Sequence, residues 1–260
     1  MDLDAILEKI ASVYAEHALE NNFDVSKITD FEQVKDNIIA KVFGTEHNEQ
    51  LLSNKPYRMM ADLAVTYHIM LEQNADGVVS VPITDSLMNE WGVTEDVLFT
   101  ASKNNMSRLT PVVVKGMFET LCDMQGAESL EFMGIPSVDP ADEMMFVMYN
   151  TSKLYGAAAM IDPNNMDYAR NLIQSDFYIL PSSVHEVLLV KTDMASSVEE
   201  LESMVQQING SEVEPQDRLS DHVYKYDYVR HEIYRADQEL QRQAELDAQQ
   251  TAHTIRTSGR

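Results

Sequence analysis

Asp62-Leu63-Ala64-Val65-Thr66-Tyr67-His68-Ile69-Met70-Leu71, then Asn74-Ala75-Asp76-Gly77, then Val79, Val81 and Ile83, is the stretch on which the fold turns. Leu63, Val65, Tyr67, Ile69 and Leu71 recur at a period of two, with Asp62, Thr66 and His68 between them, which is the pattern of a strand with one buried face. Asn74 to Gly77 supplies turn chemistry, and the renewed alternation after it makes a β-hairpin. Thr84 or Asp85 caps a short helix through Asn89, and Thr94 opens another that carries Val97, Leu98 and Ala101. The local order is strand, strand, helix.

Outward from that stretch the order recurs. Met144 to Tyr149 and Leu154 to Ile161 read as strands joined by Asn150-Thr151-Ser152-Lys153, and Pro163 starts a helix bearing Met166, Ala169, Leu172 and Ile173. Phe177 to Leu180 and Val184 to Lys191 form a third pair. Ser197 then caps a helix with Val198, Leu201, Met204, Val205 and Ile208, closed by Asn209-Gly210. The three units share no sequence and are not a demonstrated repeat. The spacing further predicts an amphipathic helix over Leu3 to Leu19 and another from Asp30 to Val42 with Phe31, Val34, Ile38 and Val42 on one face. Val229, Ile233, Ala236, Leu240 and Ala244 mark a projecting C-terminal helix, with a disordered end past Ala252. The expected fold is α+β: a mixed or antiparallel sheet built from hairpins, with flanking helices, a helical N-terminus and a C-terminal helix. Gln125 to Asp142, with two glycines and two prolines, is the expected loop or linker. It divides a first lobe (1–124) from a second (143–228), and residues 229–260 form the tail.

Composition bounds the function. With 43 acidic against 19 basic residues in 260, the formal charge is −24, which repels phosphate backbones and disfavours direct nucleic-acid binding. The acids are dispersed, so a solvated surface accounts for them. A partner with a basic surface, or mimicry of nucleic acid, is the sharper reading. Apolar runs such as Val187 to Val190 and Val112 to Val114 are far too short to cross a bilayer, and the acidic start lacks the marks of a secretory signal. The single Cys122 reads as a small core residue in a reducing, cytoplasmic setting.

Motifs with a physical task are mostly missing. The nine glycines form no phosphate-cradling loop, there is no Cys-x-x-Cys, and His185-Glu186 and His231-Glu232 lack the second histidine of a zinc-protease helix, so no cofactor or metal is expected. Pro181-Ser182-Ser183-Val184-His185-Glu186 places hydroxyl, imidazole and carboxylate together. On a strand, Ser183 and His185 share a face while Glu186 points away, so an acid such as Asp221 or Asp176 has to orient the ring. The bland reading has His185 beside Val187 and Leu189, with the serines satisfying a turn. In Leu219 to Asp227, Asp221 and His222 with the tyrosines line a polar site, or the stretch is an edge strand with Val223 on one face and Tyr224 and Tyr226 on the other. Met59, Met60, Met144, Met145 and Met148 suit an adaptable binding surface or core gap-filling.

The segments Glu46 to Leu52, Ala61 to Tyr67, Ile83 to Met88, Trp91-Gly92-Val93, Asp176 to Glu186 and Leu219 to Tyr224 resemble an uncharacterised domain-of-unknown-function family common in Gram-positive gut bacteria, over residues 35 to 228. The resemblance implies a cytoplasmic bacterial protein, carried on mobile elements, and transfers no activity to any residue. It leaves the first helix and the tail outside the family pattern.

Two functions follow from these readings. One is a non-enzymatic interaction protein whose acidic surface or C-terminal helix docks a basic protein partner. The alternative is a small-molecule hydrolase using Ser183 and His185 with Asp221 or His222.

Overall fold

In a computed structural model of the chain, residues 25–247 are described, apart from 47, 75, 76, 140, 141, 182 and 196. The helix expected over Leu3 to Leu19 and the end past Ala252 lie outside the described residues. The first sheet holds β1 (Ile38–Gly44), β2 (Tyr57–Met60), β3 (Leu63–Asn74) and β4 (Gly77–Pro82), all antiparallel. β3 is its spine: β1 pairs along one edge, while β2 and β4 share the other. The second sheet has the order β10-β9-β7-β8-β6-β5, with β5 (Val112–Gly116), β6 (Met145–Asn150), β7 (Phe177–Leu180), β8 (Val187–Lys191), β9 (Tyr224–Asp227) and β10 (Glu232–Arg235), again antiparallel throughout. The α-helices up to residue 211 are α1 (Phe31–Val34), α2 (Glu49–Leu52), α3 (Asp85–Trp91), α4 (Glu95–Leu109), α5 (Met117–Gln125), α6 (Ala127–Phe132), α7 (Pro163–Ile173) and α8 (Val198–Ser211). The fold is α+β, and its sheets are antiparallel, not mixed.

Local chemistry fixed the elements that cap or alternate. The Thr84 hydroxyl accepts the Leu87 N–H at the start of α3, Asp162 accepts from Asn164 ahead of Pro163, and Ser197 accepts from Glu200. In β7 and β8 the alternation separates two cores. Ile179, Val187 and Leu189 join the main core, whereas Leu180 and Val190 pack with Leu201 and Val205 of α8 and with Val223. The main core continues into the first sheet through Ile38, Val42, Leu63, Tyr67 and Ile69.

Five expectations need correction. The helix expected over Asp30 to Val42 stops at Asn37, after α1 and one 3-10 turn. Residues 38 to 44 become β1, because the amide of Asn105 donates to the carbonyls of Lys35 and Ile38 at the junction and β1 pairs with β3 along its whole length. Leu154 to Ile161 is no strand. β6 is already paired on both edges, by β5 and β8, so the chain folds instead into a fully buried 3-10 helix, Gly156–Ile161, whose small side chains let it pack closely. The C-terminal stripe does not begin as a helix. Asp227 accepts the N–H groups of Val229 and Arg230, His231 takes a left-handed backbone, and residues 232 to 235 return as β10; helix follows only over 239–247. The α8 helix also runs past Asn209-Gly210 to Ser211, and Cys122 is half-buried on α5 instead of in the core.

The stretch 125–142, expected as a loop or interlobe linker, lies inside a longer excursion. Gly116 at the end of β5 sits opposite Phe146 of β6, so residues 117 to 144 leave one sheet and return to it as the connection of a hairpin.

Candidate functional site

The residues singled out from sequence fall into two separate sets. In the first, 183 to 186 form a turn and not a strand, so the expected period of two does not apply. The Ser183 hydroxyl donates to Glu186 Oε1 at 2.7 Å and accepts the His185 N–H at 3.0 Å. His185 Nδ1 accepts the backbone N–H of Tyr155 at 3.3 Å, and its Nε2 lies 3.7 Å from Asp217. The Ser183 hydroxyl therefore spends its donor on Glu186, is buried, and has no bond to the imidazole. The arrangement is that of a turn satisfied by its own side chains. In the second set, Asp221 accepts from the Asn209 amide at 2.8 Å, and His222 Nδ1 lies 3.4 Å from Glu202 Oε1. Among the described residues no hydrogen bond or ion pair joins the two sets, and the four residues do not assemble one catalytic constellation.

His222 does take part in a cluster that the sequence concealed. One donor atom each from Glu202 on α8, His222 ahead of β9 and Asp237 beyond β10 all lie within 4.8 Å of one another. These residues are 20 and 15 positions apart, so no short-spacing motif marks them. Arg235 holds both oxygens of Asp237, Nε to Oδ1 at 3.0 Å and Nη2 to Oδ2 at 2.6 Å, and with the nearby His222 depresses the Asp237 carboxyl.

A second hidden cluster is buried on the first sheet. Lys41 and Thr66 are register partners, and His68 lies two residues along the same face. The Lys41 ammonium stands 3.5 Å over the Tyr155 ring, and burial pushes it down to about 8. Thr66 Oγ1 meets His68 Nε2 at 3.2 Å, while His68 Nδ1 is buried without a hydrogen-bond partner. Burial first, then the Lys41 and Lys55 charges, drive that imidazole well below its ordinary value.

The most unusual surface belongs to residues 117 to 144. Seven acids stand there (Glu119, Asp123, Glu128, Glu131, Asp139, Asp142, Glu143) and not one Lys or Arg. Lys115, just before it, pairs with Glu119 at 3.1 Å and Asp123 at 2.7 Å. At the same time the segment exposes large apolar side chains: Phe132 is 93% exposed, Met124 72% and Met133 60%, with Met144 and Val138 also outside. Leu130 is the buried apolar side chain of α6. The returning chain is tied to the departing one by Glu143, whose carboxylate accepts the Phe118 N–H at 3.3 Å at the start of α5. A Cβ on Gly116 would sit 2.7 Å from that carboxylate, whose flexible end would have to move aside. Beneath the segment opens a cleft of about 740 Å³ lined by Phe118, Glu119, Val138, Glu143, Phe146 and Lys191. Of the methionines flagged from sequence, Met144 and Met59 are exposed, and Met148 fills the core.

No described helix is long and apolar enough to cross a membrane. A family model described as Family of unknown function (DUF5688) matches residues 1–228. The match takes in the first 34 residues, which the resemblance over 35 to 228 had set outside the pattern. No curated protein and no solved structure matches the chain.

Proposed function

This chain belongs to that family of unknown function, and we propose that it is a non-enzymatic interaction protein that docks a basic, apolar-bearing protein segment on residues 117 to 144. The observation that carries the reading is the coincidence of exposed Phe132, Met133 and Met124 with an all-acidic stretch free of Lys and Arg. An isolated exposed apolar residue is ordinary. Several together on one excursion, rimmed by charge of one sign, suit a partner with apolar anchors and positive flanks. Methionine adapts its shape to such anchors, and the cleft below gives one of them depth. Long connections that leave a sheet and return to it are where binding surfaces concentrate. The hydrolase reading gains no support, because the Ser183 hydroxyl donates its hydrogen bond to Glu186 and the imidazole of His185 faces other groups.

The test uses a fluorescent amphipathic helical peptide with Lys on one face and Leu and Trp on the other, alongside a polylysine of equal charge. The amphipathic peptide binds the full chain, more weakly as salt rises. Phe132→Ser and the pair Glu128→Lys with Glu131→Lys each weaken it by about tenfold or more, the scale of a lost anchor or reversed rim charges. Equal binding of polylysine, or an affinity that neither variant changes, overturns the proposal.

A further inference from the structure

We propose that Glu202, His222 and Asp237 form a binding site for one divalent first-row transition cation, for which Zn2+ is the reference ion. This inference is independent of the docking surface. Its ground is the donor set: one imidazole nitrogen and two carboxylates, brought within 4.8 Å of one another from three different parts of the chain. One nitrogen and two oxygens suit a borderline ion such as Zn2+ better than Mg2+, which prefers oxygen alone and holds its waters.

The distances allow it. Donors about 2.1 Å from a zinc ion stand about 3.4 Å apart in a tetrahedron and about 3.0 Å apart at adjacent corners of an octahedron. His222 Nδ1 and Glu202 Oε1 are already at 3.4 Å, and no two of the three donor atoms are more than 4.8 Å apart. Three protein ligands leave at least one position for water or a ligand.

The backbone under each donor is held in place. Glu202 follows Leu201, His222 precedes Val223, and Asp237 follows Ala236, and these three neighbours are all buried in the second core. The ligands therefore project from a packed seam where α8 crosses the β9–β10 hairpin. The grip of Arg235 on both oxygens of Asp237 orients that carboxylate, as outer partners do around metal-binding acids, and its charge limits the repulsion between the two carboxylates. The Ser220 hydroxyl accepts the backbone N–H of His222 at 3.1 Å and steadies the third ligand. An ion here would fasten the helix to the hairpin, so it would bind the folded chain and not the unfolded one.

The experiment strips the full chain with a chelator and titrates it by calorimetry with ZnCl2 and, separately, MgCl2 at moderate salt. The expected result is one Zn2+ per chain, bound at least tenfold more tightly than Mg2+, with a rise in melting temperature. His222→Ala and Glu202→Gln each lower Zn2+ affinity by at least tenfold, and Glu90→Gln, an exposed acid on α3, leaves it unchanged. Circular dichroism without metal shows which variants fold; if His222→Ala does not, Glu202→Gln and Asp237→Asn decide. Absence of Zn2+ binding overturns the proposal, as does binding that folded cluster variants leave intact or Mg2+ binding of equal strength, since each reduces the cluster to an ordinary histidine–carboxylate contact on an acidic protein.

Discussion

Replacing Lys41 by methionine should stabilise this protein at neutral pH, and the gain should shrink as the solution becomes alkaline. Lys41 is 5% exposed and no carboxylate meets it among the described residues; its partners are the Tyr155 ring and the crowded Thr66 and His68 side. Burial holds its ammonium at about 8 against an ordinary 10.5. At about 1.4 kcal/mol for each tenfold, keeping the proton in the folded state costs about 3 kcal/mol at pH 7. The attraction to Tyr155 returns about 1–2 kcal/mol of that, and methionine forfeits it while keeping most of the side-chain volume. Lys41→Met is therefore expected to gain about 1–2 kcal/mol at pH 7. A lysine whose folded-state value is depressed binds fewer protons folded than unfolded between about 8 and 10.5. The wild type thus recovers stability as pH rises through that window, and the gap between the two proteins narrows by about 1–2 kcal/mol between pH 7 and 9.5. Urea unfolding of both proteins across that range measures the gap. The upward-shifted phenols of Tyr67 and Tyr224 and the downward-shifted Lys55 act on both and cancel in the difference. A variant less stable at pH 7, with a gap that does not move with pH, would refute the reasoning, because Lys41 would then hold a compensating partner.

Gly156→Ala places a Cβ 2.4 Å from the His185 carbonyl oxygen and 2.7 Å from the Asn150 nitrogen, both backbone atoms that cannot yield cheaply. A loss of about 3 kcal/mol or more is expected, read as a fall in melting temperature of about 6–12 °C, and a change under 2 °C would mean that the 3-10 segment shifts freely. Asp227 is held down at about 2 by the N–H groups of Arg230 and Val229 and by Arg242, which outweigh its burial. Its contribution is complete above the ordinary aspartate range and is lost as pH falls through about 2, so Asp227→Asn should flatten the acid limb of a stability curve between pH 4 and 2 relative to wild type. Identical acid limbs would count against it.

Sequence alone determined whatever depends on near neighbours. The alternation of Leu63, Val65, Tyr67 and Ile69 made β3, although the fold buries both of its faces from Leu63 to Met70 and not the one expected, the turn after Asn74 made its hairpin, and Thr84, Asp162 and Ser197 capped their helices, because caps and pleats act over one to four residues. It also exposed the acidity and the unusual stretch after residue 125. Tertiary structure decided the rest. Ile38 to Gly44 satisfies a helical stripe and a buried strand equally, and only the open edge of β3 chose strand. Leu154 to Ile161 reads as a strand but met a β6 with no edge left. Ser183 and His185 are close in sequence, yet their turn sends the hydroxyl to Glu186. Conversely, His222 found Glu202 and Asp237 only because α8 packs on the β9–β10 hairpin. A strand's pairing and a site's convergence are contacts between distant residues, and local pattern carries no record of which distant surface arrives.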